Sequence, residues 1–191
     1  MDRHWLLTNT TYGSWLPGDA RGFVGRVWEH RAGDDPNVVR IEHDLPGTPY
    51  DEGIRGLEEA AEGKLRGPPI ALTVAHAEQL LEQFQETARH RVWELLAVAV
   101  MFNHFHIVVG VPGDPKPSKI LGDFKSWGTR KLSAHFGEPE SETWWSGSGS
   151  KRKLTDEQAV LNAVHYVLYE QPSALITWSP RTGLHYGAPP R

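Results

Sequence analysis

The chain has 191 residues, which suits one domain carrying an insertion better than two domains. Its 39% hydrophobic and 23% charged residues suit a globular protein with a substantial core, and the lack of cysteine excludes disulfides, zinc fingers and thiol nucleophiles, leaving metal chemistry to histidines and carboxylates. The formal net charge of −4 argues against a protein that coats nucleic acid electrostatically; with no apolar run of membrane-spanning length and no signal-peptide pattern at the N-terminus, the expectation is a cytoplasmic protein with no membrane partner.

Residues 5–11 read as a first strand, and Tyr12 to Asp19, punctuated by Gly13, Pro17 and Gly18, as a loop. That loop carries Tyr12 and Trp15, with Arg21 and Arg26 close behind. Aromatic rings beside arginines suit stacking on unpaired bases, and they equally suit anchoring a loop to the core. From about 31 to 69, glycines and prolines alternate with acidic residues and apolar periodicity is poor. This segment reads as a surface insertion in which only 51–65 has the makings of a short helix. It holds much of the negative charge, so the rest of the chain is less acidic than the total.

Thr73 is a suitable N-cap for a helix running to about His90, with Leu80, Leu81, Phe84 and Ala88 at helical spacing. Residues 93–100 then read as a strand, followed after a short Met101–Asn103 join by a second one. A hairpin fits that join. The second strand contains His104-Phe105-His106 in a run rich in β-branched residues. Side chains alternate along a strand, so His104 and His106 share one face while Phe105, Ile107 and Val109 share the other. Two neutral imidazoles side by side can hold one divalent metal ion, although two half-exposed histidines on a sheet would look the same in sequence.

After a loop with three prolines, Ser118 is placed to cap a helix to about Phe136, with Ile120, Leu121, Phe124, Trp127 and Leu132 as its apolar stripe and Gly128 weakening it. Lys125 and Arg130 lie off that stripe. Between Lys116 and Lys153, eight basic residues stand against four acidic ones. The loop 137–150 holds Trp144 and Trp145 and leads into Lys151, Arg152 and Lys153, which repeats the pairing of aromatic and basic residues. Tyr12, Trp15, Arg21, Lys125, Arg130, Trp144, Trp145, Lys151 and Arg152 are therefore the candidate nucleic-acid contacts.

Thr155 to Gln158 resembles a capping box, and a helix follows to about Glu170, ended by Pro172. Leu161, Val164 and Leu168 form its expected buried stripe. Tyr166 and Glu170 are one turn apart on a different face. A phenol and a carboxylate on one helix face, in a chain with a histidine pair, suggest a third metal ligand in Glu170 and a nucleophile in Tyr166, with the metal polarising a phosphate.

The blocks Met101-Phe102-Asn103-His104-Phe105-His106 and Tyr166-Val167-Leu168-Tyr169-Glu170-Gln171, with the opening Thr10-Thr11-Tyr12-Gly13-Ser14-Trp15-Leu16-Pro17-Gly18-Asp19, resemble the HUH single-tyrosine transposases. These include the insertion sequence 200-like enzymes and the REP-associated tyrosine transposases. The resemblance covers most of the chain in scattered blocks and leaves out 31–69. It implies an α+β, ferredoxin-like or RRM-like sandwich, with the histidine strand central in an antiparallel sheet and helices packed on one side. It further implies His104 and His106 as metal ligands, Glu170 at the third position, Mg²⁺ or Mn²⁺ as the metal, and Tyr166 as the nucleophile. The substrate would be single-stranded or hairpin DNA, held through a 5′-phosphotyrosyl linkage by a monomer or homodimer. Many relatives place Asn-Pro closer to the tyrosine, so Gln171 competes with Glu170, and Tyr169 with Tyr166. Two further readings share the fold: a domesticated hairpin-DNA-binding protein, and a replication initiator or relaxase. A histidine-triad nucleotide hydrolase would want a third alternating histidine, and position 108 is Val.

Overall fold

The computed structural model describes residues 3–20, 27–29, 40–42, 55–147 and 149–189. Its elements in chain order are β1 (Arg3–Thr10), β2 (Val27–Glu29), β3 (Arg40–Glu42), α1 (Arg55–Glu62), α2 (Val74–Arg91), β4 (Glu94–Val100), β5 (His104–Val111), α3 (Pro117–Phe136), β6 (Ser150–Leu154), α4 (Glu157–Tyr169), β7 (Ile176–Ser179) and β8 (Gly183–Tyr186). They fall into two compact units, one of residues 1–14 and 67–191, the other of residues 15–66.

The smaller unit contains β2 and β3, which pair antiparallel with Trp28 opposite Ile41, and α1, whose Arg55 Nε bonds Glu59 Oε1 one turn on at 2.8 Å. The insertion expected at about 31–69 overlaps this unit, and α1 falls where a short helix was expected.

The larger unit is built on a six-stranded sheet in the order β6-β1-β5-β4-β7-β8, with every neighbouring pair antiparallel. The fold is thus α+β, with the histidine strand β5 interior between β1 and β4. The alternation read from β5 holds: Phe105, Ile107 and Val109 join the main core under α2 and α3, with Phe84, Phe124, Leu80 and Ile120. Helix α2 begins at Thr73, whose Oγ1 accepts from His76 N–H, and ends at Val92 in the left-handed conformation. Gly128 brings α3 close to α2, since a Cβ there would stand 3.1 Å from Leu80 Cδ2. Packing at close range explains this glycine better than weak helix propensity does.

Expectation of helices on one side describes α2 and α3. Helix α4 lies over the opposite face, where Ala163, Val167 and Leu168 pack on Ala97, Ala99, Met101 and Val108. A register shift between Leu95 and Ala97 sets up that floor. Without the extra residue, the alternation of β4 would carry Val98 and Val100 to this face; with it, they point into the main core and the two alanines lie under α4.

Several boundaries differ from the sequence reading. Pro117 occupies the first turn of α3 and Lys116, not Ser118, is the cap residue. The cap of α4 is Asp156 rather than Thr155: its carboxylate accepts from Ala159 N–H at 2.8 Å, while Thr155 Oγ1 donates to Asp156. The buried stripe of α4 is turned as well, because Leu161 is 55% exposed and Ala163 and Val167 take the inward positions.

Candidate active site

The histidine-bearing face is organised by strand register. Thr8 is opposite His106 and Thr10 opposite His104, so the side chains of each pair share a face. His106 Nδ1 lies 2.7 Å from Thr8 Oγ1, and His104 Nδ1 lies 2.6 Å from Asn103 Oδ1, which accepts its proton. With the Nδ1 atoms so engaged, the Nε2 atoms are the ones left for a ligand. The two rings meet edge-on with centroids 5.0 Å apart. Thr8 and Asn103 thus orient the two rings, a role that the sequence reading gives to neither; Asn103 enters it as a turn residue and as part of the block that carries the resemblance.

Burial under α4 strips water from both imidazoles and penalises their charged forms. It lowers His104 from 6.5 to about 4, and burial with the neighbouring His104 lowers His106 to about 3, against a smaller opposing effect of a Gln171 hydrogen bond. Both rings are neutral at physiological pH, the state in which imidazole binds metal. In the metal-free protein above pH 6.5 neither folded nor unfolded histidines are protonated, and the shifts contribute nothing to stability. Between pH 6.5 and about 4 the unfolded chain takes up protons that the folded chain refuses. Stability should therefore fall with pH in that window, by on the order of 3 kcal/mol at pH 5. Urea denaturation at pH 7 and pH 5 checks this, with a His104→Gln/His106→Gln variant expected to lose less.

Helix α4 supplies the other half of the site. Its inward residues seat it on the alanine floor and turn Tyr166 toward the histidines. The Tyr166 ring stands edge-on to His106, with centroids 5.5 Å apart, and is 39% exposed. Tyr169 packs instead against His165, at 5.1 Å between centroids.

Glu170 and Gln171 are arranged differently from the expectation. The helix ends at Tyr169, and Glu170 is its cap, with φ −108° and ψ 8°. The four-residue spacing from Tyr166 to Glu170 therefore does not continue one helical face. Glu170 turns outward, where its Oε1 lies 3.1 Å from His165 Nδ1. Gln171 is buried, donates through Nε2 to the Tyr166 carbonyl at 3.1 Å, and lies close enough to His106 to act on its pKa. Among the described residues no three His, Asp or Glu side chains gather into a metal-binding group. The residue beside the histidine pair is an amide. His104, His106 and Gln171 together fit a divalent ion, two neutral nitrogens and an amide group being suitable donors.

The candidate nucleic-acid residues separate into several groups. Trp144 and Trp145, expected to stack on bases, are 5% and 4% exposed and belong to the core. Trp145 Nε1 donates to Thr129 Oγ1 at 2.9 Å and its ring meets Phe105 edge-on, while Trp144 Nε1 donates to Ser133 Oγ at 3.0 Å. The tryptophans close the loop over α3, which satisfies both indole N–H groups and buries their rings. Trp145→Ala should accordingly destabilise the fold by about 3–5 kcal/mol. Thermal denaturation measures this, and a folded Trp145→Phe variant should keep wild-type affinity for single-stranded DNA.

Arg130 stacks over the Trp127 ring at 4.5 Å, on the exposed side of α3. Trp127, expected in the apolar stripe, is 38% exposed, and Gly128 takes a buried position instead. Tyr12 is half-buried where the chain leaves β1, its N–H bonded to the Trp144 carbonyl. Trp15 belongs to the smaller unit and has φ 60°. Arg21 lies outside the described residues, as does Arg26. Lys151 and Arg152 are exposed on the edge strand β6, and Lys125 is half-buried on α3. No described helix is long and apolar enough to cross a membrane.

The family model described as "Transposase IS200 like" matches residues 70–167, a span that includes both histidines and Tyr166. No curated protein matches the chain. Among solved structures, a REP-associated tyrosine transposase bound to a REP hairpin is similar, with TM-score 0.48 and 12% identity, covering 91% of this chain and 76% of that chain. Because the family match takes in just over half of the residues, the chain belongs to the IS200-like transposase family.

Proposed function

We propose that this transposase cleaves and rejoins single-stranded DNA through a covalent bond to Tyr166, assisted by a divalent ion. The observation that carries the reading is the meeting of Tyr166 and Gln171 from the end of α4 with His104 and His106 from the middle of the sheet. His104, His106 and Gln171 would hold the ion, Mg²⁺ or Mn²⁺. When bound, it supplies a positive charge that polarises the phosphate and stabilises the charge developing on it.

The chain's own groups do the rest. Asn103 and Thr8 hold the imidazoles in orientation, and α4 keeps water from their inner sides. The Tyr166 hydroxyl, at the exposed rim of this face, attacks the phosphorus. A bond forms between its Oη and phosphorus as the bond from phosphorus to the 3′ oxygen breaks. The phenolic proton is given up to solvent and the leaving oxygen takes one up, leaving a free 3′-OH and a 5′-phosphotyrosine. Attack by a 3′-OH reverses these changes. The phosphodiester energy stays in the tyrosyl linkage, so no nucleotide cofactor is required. A hairpin in the strand is the proposed recognition element, and Arg152, on the same face as the histidines by its register with Leu6, is one proposed contact.

The test uses a pool of single-stranded DNA hairpins with randomised flanks, labelled at one end and incubated with Mn²⁺. On a denaturing gel, the 3′ label should travel with the protein and the 5′ label should be released as a shorter strand. A chelator should abolish both changes. A 5′ label travelling with the protein would refute the linkage, and no transfer in any member of the pool would refute the reading.

A further inference from the structure

Lys125 and Lys151 stand out among the cationic side chains of the larger unit. Arg3 pairs with Asp114, Arg91 and Lys119 with Asp123, and Lys131 with Glu82. Lys125 and Lys151 are instead held by backbone carbonyls. Lys125 Nζ donates to the Ser146 carbonyl at 2.8 Å and Lys151 Nζ to the Gly149 carbonyl at 2.7 Å. Lys125 feels Lys151 electrostatically and is half-buried, and both influences lower its pKa, with burial the larger. Two ammonium groups thus face one region with no described carboxylate between them.

The two carbonyls belong to the segment that joins the Trp145 bridge to β6. Ser146 N–H bonds the Thr10 carbonyl and Ser150 is opposite Thr8, so the edge chain meets β1 again two residues along it. Gly149 passes so close to β1 that a Cβ would stand 2.5 Å from Asn9 Oδ1 and from the Thr8 carbonyl. The segment is tied to the histidine row, since Thr10 Oγ1 donates to Ser146 Oγ at 2.7 Å and Thr10 is opposite His104. The lysines therefore rest on a tightly seated turn at the β1–β6 edge, on the α3 side of the sheet, since Lys151 is opposite Leu7 of the main core while the histidines lie on the other face. An anion there would relieve their mutual repulsion without disturbing any ion pair.

We infer that Lys125 and Lys151, seated on the Ser146 and Gly149 carbonyls at the β1–β6 edge, form a subsite for a DNA backbone phosphate remote from the scissile one. The inference rests on the proposed DNA-cleaving function and adds to it a place where the strand is held. Its role is to hold the strand where it passes around the β1–β6 edge, from the α3 side of the sheet to the face that carries the histidines and Tyr166.

The test measures fluorescence anisotropy of labelled dT30 with the full chain across a series of salt concentrations. Lys125→Gln/Lys151→Gln should bind about tenfold more weakly, with the slope of log affinity against log salt lower by about 0.7, the value for one phosphate contact to a single strand. Lys151→Gln alone, at an exposed strand position, should lower the slope by part of that amount. Lys119→Gln, which removes a charge already facing Asp123, should leave the slope unchanged. Wild-type affinity and slope in both Lys151→Gln and the double variant would overturn the subsite while leaving the hairpin-trapping result intact. Loss of slope in Lys119→Gln equal to that in Lys151→Gln would overturn it too, by reducing the effect to overall charge. Failure of the wild type to form any adduct strikes the proposed function itself.

Discussion

Tyr166→Phe is expected to eliminate the covalent DNA adduct, a loss on the order of a thousandfold or more, while leaving DNA binding and metal binding in place. Tyr169→Phe is expected to retain the adduct. The two phenols share the last turn of α4 but differ in surroundings: one ring stands against His106, the other against His165. A neutral phenol is a weak nucleophile and depends on nearby positive charge to stabilise the transition state. With the ion at the proposed site, only Tyr166 is placed to receive that help. A denaturing gel of each variant with the trapped hairpin decides the matter. An adduct that survives Tyr166→Phe and disappears with Tyr169→Phe would move the nucleophile to the other face of the helix.

A second large effect is expected at the metal position. His104→Ala or His106→Ala should weaken Mn²⁺ binding by more than about 100-fold and abolish cleavage. Gln171→Ala should follow the histidines, whereas Glu170→Ala should keep wild-type Mn²⁺ affinity, because its carboxylate faces His165. Thr8→Val, which removes the partner of His106 Nδ1, should cost about 10–100-fold. Isothermal calorimetry with Mn²⁺ ranks the five variants. If Glu170→Ala loses affinity and Gln171→Ala does not, the carboxylate is the third ligand and the end of α4 must rearrange on binding.

What could be read from the sequence follows the strength of local signals. The hairpin of β4 and β5 was legible because β-branched runs flank a turn containing Asn103, and α2 because Thr73 precedes an apolar stripe at helical spacing. Strand β6 gave no signal. Ser150 to Lys153 are all exposed at the sheet's edge, so no alternating apolar face marks them, and the lysines suit a free edge better than a core. Strands β7 and β8 have four residues each, too short for a period to emerge. Trp144 and Trp145 look like loop residues and are; what the sequence could not show is that the loop folds back against α3. The choice between Glu170 and Gln171 turned on a single residue, since a helix continued through Glu170 aims its carboxylate with Tyr166 and a helix ended at Tyr169 does not.

The extra residue in β4 has a consequence for the chemistry. The proposed nucleophile and the proposed metal ligands sit on separate elements, and the gap between those elements is set by what is packed between them. Ala97 and Ala99 act as a spacer of minimum thickness, and they occupy that layer because the shift near Leu95 exchanges them with Val98 and Val100. A spacer thicker by a methyl group or two would lift α4 from the sheet and carry the Tyr166 hydroxyl away from the histidines, and so from the phosphorus of the proposed reaction. In-line attack tolerates little error in that distance. The reach of the tyrosine is therefore set by two methyl side chains and one added peptide unit, none of which takes part in the reaction.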